Sequence, residues 1–247
     1  MVLEGKTAIV TGAARGQGAA TAILAAKEGA QVVVIDVLDL GETVDTITKA
    51  GGVARPVSGD IRDAATWDEA VRIAEEELTG TFLLANVAGV TPLDDSVVGG
   101  SDETWQRTID INLKGAWLGM RAALPAMLER GEGRVVNVAS LAASHGVDGL
   151  SSYSASKGGL VALTRQVAVD YGKQGIRVNC INPGVIDTPM NEQNTPEMTE
   201  AFLQMTPVPR QGTAEDIAAT IMFFASPGAE YITGQVLGVD GGWSVRS

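Results

Sequence analysis

Residues 6–18 read K-T-A-I-V-T-G-A-A-R-G-Q-G. The run 6–11 is short, apolar and rich in β-branched residues, and it ends at a glycine, which is the pattern of a buried strand. Residues 19–28 are alanine-rich and read as a helix. Strand, glycine turn and helix in this order make a phosphate-binding element. The glycines let a ligand approach the backbone, and the helix N-terminus turns free N–H groups and a positive dipole end towards a pyrophosphate. Gly12, Arg15, Gln17 and Gly18 are the candidate contacts. The glycine spacing is G-x-x-x-G-x-G rather than G-x-G-x-x-G, so on the glycines alone an ordinary turn remains the alternative.

Outward from that turn, residues 31–36 read Q-V-V-V-I-D and form a second strand ending in Asp36. An acid about twenty residues past the glycine turn is placed to accept hydrogen bonds from adenosine ribose hydroxyls and to repel a 2′-phosphate. Asp36 therefore favours NAD(H) over NADP(H). Arg15 pulls the other way, because a guanidinium there can pair with a 2′-phosphate. No cation follows Asp36, the next residues being Val37 and Leu38. The competing reading of Asp36 is a solvated carboxylate at a strand end.

The pattern then repeats. A helix near 41–50 leads to a strand near 53–58 and to G-D-I-R-D, where Asp60 and Ile61 would open onto an adenine. A helix from 63 to about 78 carries the acidic run 75–77, read as a solvated face. The buried strand 81–86 opens onto V-A-G at 87–89, and a long helical region, 102–129, contains D-I-N-L-K-G around Asn112. Strand 134–140 delivers Ser140 at its end. A helix carrying Tyr153 runs to about 173, and strands at 177–181 and 235–239 bracket a more polar segment, 188–211. Alternating strands and helices of this length imply an α/β fold, a parallel sheet with helices on both faces. Binding and catalytic groups then lie beyond the carboxyl ends of the strands. No repeat or linker interrupts the series, so residues 1–247 read as one domain.

Tyr153-Ser-Ala-Ser-Lys157 puts a tyrosine and a lysine one helical turn apart on one face. An ammonium beside a phenol favours the phenolate, and at an effective dielectric near 20 a contact of about 4 Å is worth roughly 4 kcal/mol before desolvation. That suffices to bring a phenol into a useful range for proton transfer. Ser140, at a neighbouring strand end, could hold the oxygen that exchanges the proton. Y-x-x-x-K alone is a weak signal; its position beyond a strand end in this series gives it weight.

Composition sets the bounds. A net charge of −12 disfavours nucleic acid as a partner. No apolar run reaches the length of a membrane span, and the N-terminus moves straight into a strand without a signal-peptide pattern. A single cysteine, Cys180, excludes an internal disulfide and most cysteine-based metal sites, and it reads as a small apolar strand residue. These features give a cytoplasmic protein with a small-molecule ligand and no metal.

Taken together, T-G-x-x-x-G-x-G at 11–18, N-x-A-G at 86–89, Asn112, Ser140, Y-x-x-x-K at 153–157 and P-G at 183–184 resemble the short-chain dehydrogenase/reductase family from end to end. The resemblance implies a Rossmann-type, doubly wound, seven-stranded sheet in order 3-2-1-4-5-6-7, a bound nicotinamide dinucleotide and a homotetramer packed through the helices of Asn112 and Tyr153. It further implies that Ser140 hydrogen-bonds the substrate oxygen, Tyr153 exchanges its proton, and Lys157 lowers the tyrosine pKa and binds the nicotinamide ribose. Asn112 would hold a water linking Lys157 to solvent. Asn86, Ala88 and Gly89 would lie against the cofactor, with Pro183, Gly184, Val185, Ile186 and Thr188 at its nicotinamide end. Three departures stand out: Gln17 replaces an aliphatic residue, Val87 replaces a second asparagine, and the approach to Asn86 lacks the usual aspartate.

Specificity should come from 91–98, 141–152 and 188–211. Met198, Phe202 and Met205 recur at helical spacing, as a face that either packs down on the body or lines a pocket. Met190 and His145, the only histidine, are candidate substrate contacts, and Trp243 either meets a partner subunit or covers the core edge. Arg210 is the only cation in 188–211. A neutral, fairly apolar secondary alcohol or ketone (cyclic, aryl or steroid-like) is therefore the expected substrate. The alternatives are an NADPH-dependent 3-oxoacyl-thioester reductase and a non-catalytic dinucleotide-binding regulator, the latter disfavoured by the intact Ser140–Tyr153–Lys157 set.

Overall fold

The computed structural model describes residues 1–92, 95–191 and 195–245. Residues 93–94 of the expected 91–98 specificity loop and 192–194 of the 188–211 segment lie outside these. Seven parallel strands pair in the order β3-β2-β1-β4-β5-β6-β7, the expected order. They are β1 (Thr7–Thr11), β2 (Gln31–Asp36), β3 (Val53–Ser58), β4 (Thr81–Asn86), β5 (Gly133–Val138), β6 (Ile176–Pro183) and β7 (Val236–Val239). The connecting helices are α1 (Gly16–Lys27), α2 (Gly41–Lys49), α3 (Ala64–Arg72), α4 (Asp102–Ile109), α5 (Ala116–Arg130), α6 (Ser151–Tyr171), α7 (Pro196–Gln204) and α8 (Ala214–Ala225).

Strand side chains alternate between two cores, as a period of two requires. Val32 and Val34 of β2 join Ala22 and Ala25 of α1 and Ile217 and Ile221 of α8. Val33 and Ile35 face the other way, onto Trp67 of α3, Met120 and Met127 of α5 and Val167 of α6. The central strands are buried on both faces, hence their nearly unbroken apolar reading. Among the described residues no helix is long and apolar enough to cross a membrane.

The long helix expected over 102–129 is interrupted: residues Asp110–Gly115 form a wide π-type turn between α4 and α5. A similar turn, Ile73–Glu77, ends the helix expected to reach 78. The first of these matters for the site, because it swings Asn112 inward until it is 1% exposed.

Candidate active site

The glycine turn is built for close approach. Gly12 (φ +67°) and Gly16 (φ +56°) occupy the left-handed region that glycine adopts without strain. A Cβ on Gly12 would stand 2.9 Å from Ala88 Cα, and one on Gly18 would stand 2.0 Å from the Gly12 carbonyl oxygen. The turn is braced from behind by Asp36, whose Oδ2 accepts from the Ala14 N–H (3.0 Å) and whose Oδ1 accepts from the Leu38 N–H (3.0 Å). Thr11 Oγ1 ties β1 to the β4 exit by accepting from both Val87 and Ala88 N–H groups at 3.0 Å. The Val87 departure therefore leaves this joint intact.

A cavity of about 1120 Å³ runs from this turn across the carboxyl ends of the strands. Of the residues singled out in the sequence, Gly12, Arg15, Gln17, Gly18, Asp36, Asp60, Ile61, Ala88, Gly89, Ser140, Tyr153, Lys157, Pro183, Gly184, Val185, Thr188 and Met190 all line it. Four do not. Asn86 shares a strand face with Leu84, so its side chain points into the sheet–helix interior and donates to Asn137 Oδ1 at 2.8 Å. Ile186 is 1% exposed in the core beside Ile217 and Ile221. Asn112 sits behind the wall, its Nδ2 donating to Val90 O (2.9 Å) and Ser156 Oγ (3.1 Å) while Oδ1 accepts from the Val90 N–H (2.8 Å). Both amide protons are thus engaged, and the Asn112 side chain acts as a brace between the β4 exit and α6.

His145 is the fourth, its ring lying against Trp243 and outside the cavity lining. Its ring stands edge-on to Trp243 (centroids 5.4 Å, 80°), with Nδ1 at 3.0 Å from Ser144 Oγ. Trp243 in turn stacks on Phe202 of α7 (5.8 Å, 8°). The tryptophan thus joins the helix over the cavity to the loop after β5. Met198 and Phe202 line the cavity and Met205 does not.

At the cavity floor, Tyr153 and Lys157 are 8% and 3% exposed. Lys157 Nζ donates to the Val138 carbonyl at 2.8 Å and lies 5.7 Å from the centre of the Tyr153 ring. Burial dominates both groups. It pulls the Lys157 ammonium down to about 8 and lifts the Tyr153 phenol above its ordinary value, against hydrogen bonds from Ser140 and Thr91 that lower it. Ser140 lies two residues past β5, its Oγ accepting from the Ala142 N–H at 3.2 Å. Cys180, fully buried beside Lys157, has its thiol pushed up to about 11 by burial.

At the opposite end, Asp60 is held by its neighbour. Arg62 Nε donates to both carboxylate oxygens (3.0 and 2.9 Å) and Nη2 to Oδ2 at 2.5 Å, which keeps the Asp60 carboxyl below its usual range. Arg62 and Arg107 line the cavity there and were not anticipated, although Arg62 stands inside the quoted G-D-I-R-D. Arg15 is exposed at the mouth with no salt-bridge partner among the described residues. Among the described residues no cluster of His, Cys, Asp and Glu is arranged to hold a metal ion.

Cradle and floor together are of the dinucleotide-binding α/β type: only glycine fits at Gly12 and Gly18, where the turn packs on Ala88 and on its own carbonyl, and this close packing sets the N-terminus of α1 at the cavity, where an anion is favoured. The comparisons give the family. A family model described as enoyl-(acyl carrier protein) reductase matches residues 12–244, and the chain belongs to the short-chain dehydrogenase/reductase family.

The 3-oxoacyl-[acyl-carrier-protein] reductase FabG of Thermotoga maritima is 36% identical over 98% of this chain and 99% of its own length. Cyclohexanol dehydrogenase of Acinetobacter sp. is 35% identical over 98% and 96%. Among solved structures, levodione reductase superposes with a TM-score of 0.95 at 32% identity, covering 99% of this chain and all of that one. A putative 2-deoxy-D-gluconate 3-dehydrogenase of Agrobacterium tumefaciens with bound NADP gives 0.91 at 36% identity, covering 99% and 98%. Carveol dehydrogenase of Mycobacterium avium with NAD gives 0.94 at 29% identity, covering 99% of each chain.

Proposed function

We propose that the chain is an NAD(H)-dependent oxidoreductase interconverting a neutral, fairly apolar secondary alcohol and its ketone. The observation carrying this reading is that Ser140, Tyr153 and Lys157 meet at the floor of one cavity whose far end holds Asp36. Bound in that cavity, the nicotinamide dinucleotide supplies the acceptor or donor of the substrate's hydride. The chain's own residues do the rest. Ser140 holds the substrate oxygen, and Tyr153 takes the hydroxyl proton during oxidation and returns it during reduction. Lys157, mostly protonated near neutral pH, holds the nicotinamide ribose. Gly12 and Gly18 receive the pyrophosphate at the N-terminus of α1. Each Asp36 oxygen accepts one backbone N–H and has a further lone pair with which to accept from ribose hydroxyls, and its charge opposes a 2′-phosphate.

The walls support the substrate class. Pro92, Leu141, Val147, Leu150, Met190 and Phe202 are among the cavity's lining residues, with Asp148 beside Val147 as a single carboxylate in that loop. Arg210 donates through its two terminal guanidinium nitrogens to Asp216 (2.6 and 3.0 Å) and does not line the cavity. A net charge of −12 also suits a neutral ligand better than an acidic carrier. The whole chain serves as one dinucleotide-binding domain in the cytoplasm, with 188–211 as its substrate lid and a homotetramer as its assembly.

The test is turnover of cyclic and aryl alcohols with NAD by the native protein and by Tyr153→Phe, beside acetoacetyl thioesters with NADPH. Loss of turnover by at least 100-fold in the variant, with NADH binding retained, is the expected result. Unchanged activity in Tyr153→Phe would sink the assignment, and faster NADPH-dependent thioester reduction would favour the 3-oxoacyl reductase reading.

A further inference from the structure

We propose that Arg62, and not Asp60, is the side chain that meets the purine of the dinucleotide, and that the site accepts a 6-oxopurine dinucleotide as readily as an adenine one. The proposal rests on the reading that the cavity binds a nicotinamide dinucleotide.

The sheet order fixes which end of the cavity takes the base. β5 and β6 bring Ser140 and Pro183 to the reactive end, where Tyr153 stands, and β1 leads into the glycine turn. A dinucleotide with its nicotinamide at Tyr153 and its pyrophosphate at that turn extends over the ends of β2 and β3, on the far side of β1. There the lining passes from Asp36 to Asp60, Ile61 and Arg62, joined by Arg107 of α4.

Adenine carries an amino group, a donor, at the position where a 6-oxopurine carries an oxygen, an acceptor; N7 accepts in both. Only an acceptor on the protein can select adenine through that amino group. Asp60 is the carboxylate at this place, and its accepting capacity is taken. Its Oδ1 receives the Arg62 backbone N–H (2.9 Å) and Nε–H (3.0 Å), and its Oδ2 receives Nε–H (2.9 Å) and Nη2–H (2.5 Å). A carboxylate has about four lone-pair sites, and these contacts fill them. The adjoining carbonyls are engaged as well. That of Asp60 accepts from the Asp63 N–H at 3.0 Å, and that of Ile61 accepts at 2.8 Å from Nε1 of Trp67, a core residue.

Arg62 remains available to the ligand. It lines the cavity, and its Nη1 has no partner among the described residues. A guanidinium has N–H donors and no acceptor. By its face it stacks on a purine, and by its edge it donates to N7; neither contact depends on an amino group at the 6-position. Edge-on, it suits an oxygen there equally. Asp60 is thus a positioning residue that acts on the base through Arg62.

The experiment is fluorescence titration of the full chain with NADH and with reduced nicotinamide hypoxanthine dinucleotide, which carries oxygen in place of the 6-amino group. The native protein should bind the two with dissociation constants within about threefold, since no hydrogen bond is lost between them. A carboxylate accepting from the amino group would instead favour NADH by about tenfold or more, the worth of a hydrogen bond to a charged group, and that result overturns the proposal. Arg62→Ala removes the guanidinium and releases Asp60, so it should create a preference for NADH of about tenfold. Adding Asp60→Ala to that variant should abolish the preference. Equal binding in Arg62→Ala, or a preference that survives the double substitution, also overturns the proposal. Failure of both dinucleotides to bind the native protein would sink the NAD(H) reading itself, whereas unequal binding by the native protein sinks this proposal alone.

Discussion

Asp95 Oδ2 accepts two hydrogen bonds from Ser152, one from the backbone N–H at 2.6 Å and one from the hydroxyl at 2.5 Å. Asp95 is 3% exposed, and its main chain is bound to α6 as well, its N–H donating to Gly149 O and its carbonyl accepting from Ser151 N–H, both at 2.8 Å. The residue before α6, Leu150, offers no side-chain cap. A carboxylate from a distant loop therefore does the work of an N-cap at the helix that carries Tyr153 and Lys157.

Asp95→Ala leaves two buried donors on Ser152 without partners and should destabilise the fold by about 2–4 kcal/mol. It should also lower kcat more than it raises KM, because Tyr153 lies one residue beyond the lost cap. Denaturant unfolding and steady-state kinetics check both. A kcat within twofold of native, with the stability loss present, would show that α6 holds the tyrosine without its cap.

The proposed preference for NAD(H) hangs on Asp36. Asp36→Ala removes the anion facing a 2′-phosphate while leaving Arg15 exposed at the mouth. It also frees the Ala14 N–H that braces the glycine turn. The variant should therefore bind NADH less tightly and shift the NADPH-to-NADH affinity ratio by about tenfold or more towards NADPH. Fluorescence titration with each dinucleotide measures this; an unchanged ratio would mean that Asp36 serves the turn alone.

How much of this was written in the sequence depends on how local each signal is. The glycine turn and the cavity line from Gly12 to Thr188 follow from short motifs at strand ends, which the sheet places side by side, while the strand order came only through the family those motifs resemble. Asn86 and Ile186 stand where the motifs put them but turn their side chains away from the cavity, because a motif says which residue stands at a strand end, not which way its side chain points. Parity along β4 would have sent Asn86 to the face of Leu84. Asp95, Thr91 and Arg107 carry no periodic signal at all. Asp95 meets Ser152 across 57 residues of sequence, a contact that only tertiary packing creates. His145 was a candidate only by its place in the loop, and its ring meets Trp243, near the far end of the chain, a contact that no local pattern announces.

Lys157 should prove a liability to stability as well as a necessity for turnover. Its ammonium is buried, and its pKa falls from an ordinary value of 10.5 to about 8. Between those values the unfolded chain binds more protons than the folded one, so this group makes stability rise with pH across that window. Cys180 and Tyr153 act oppositely: burial raises both, so they make stability fall with pH above about 9 and 10, their ordinary values. Lys157→Met removes the buried charge and should raise stability near neutral pH by about 2 kcal/mol while abolishing turnover. The rise in stability that Lys157 should give the native protein between pH 8 and 9 should vanish in the variant. Urea unfolding at a series of pH values tests this. A variant less stable than native at pH 7 would show that the hydrogen bond to Val138 outweighs the burial of charge.

The lid offers the last test. Phe202 lines the cavity with one face and stacks on Trp243, which His145 meets edge-on from the loop after β5. Stacked and edge-on aromatic pairs are each worth about 0.5–1.5 kcal/mol beyond their buried area. Trp243→Ala removes both, so α7 loses its tie to the body of the protein. If the lid closes over a bulky apolar substrate, its loosening should raise KM for that substrate about tenfold with little change in kcat. The same variant should hardly affect a small substrate such as a short-chain alcohol, which does not reach Phe202. Measuring both substrates separates the two cases: equal losses for large and small alcohols would place Trp243 in the general packing of the chain rather than in the lid.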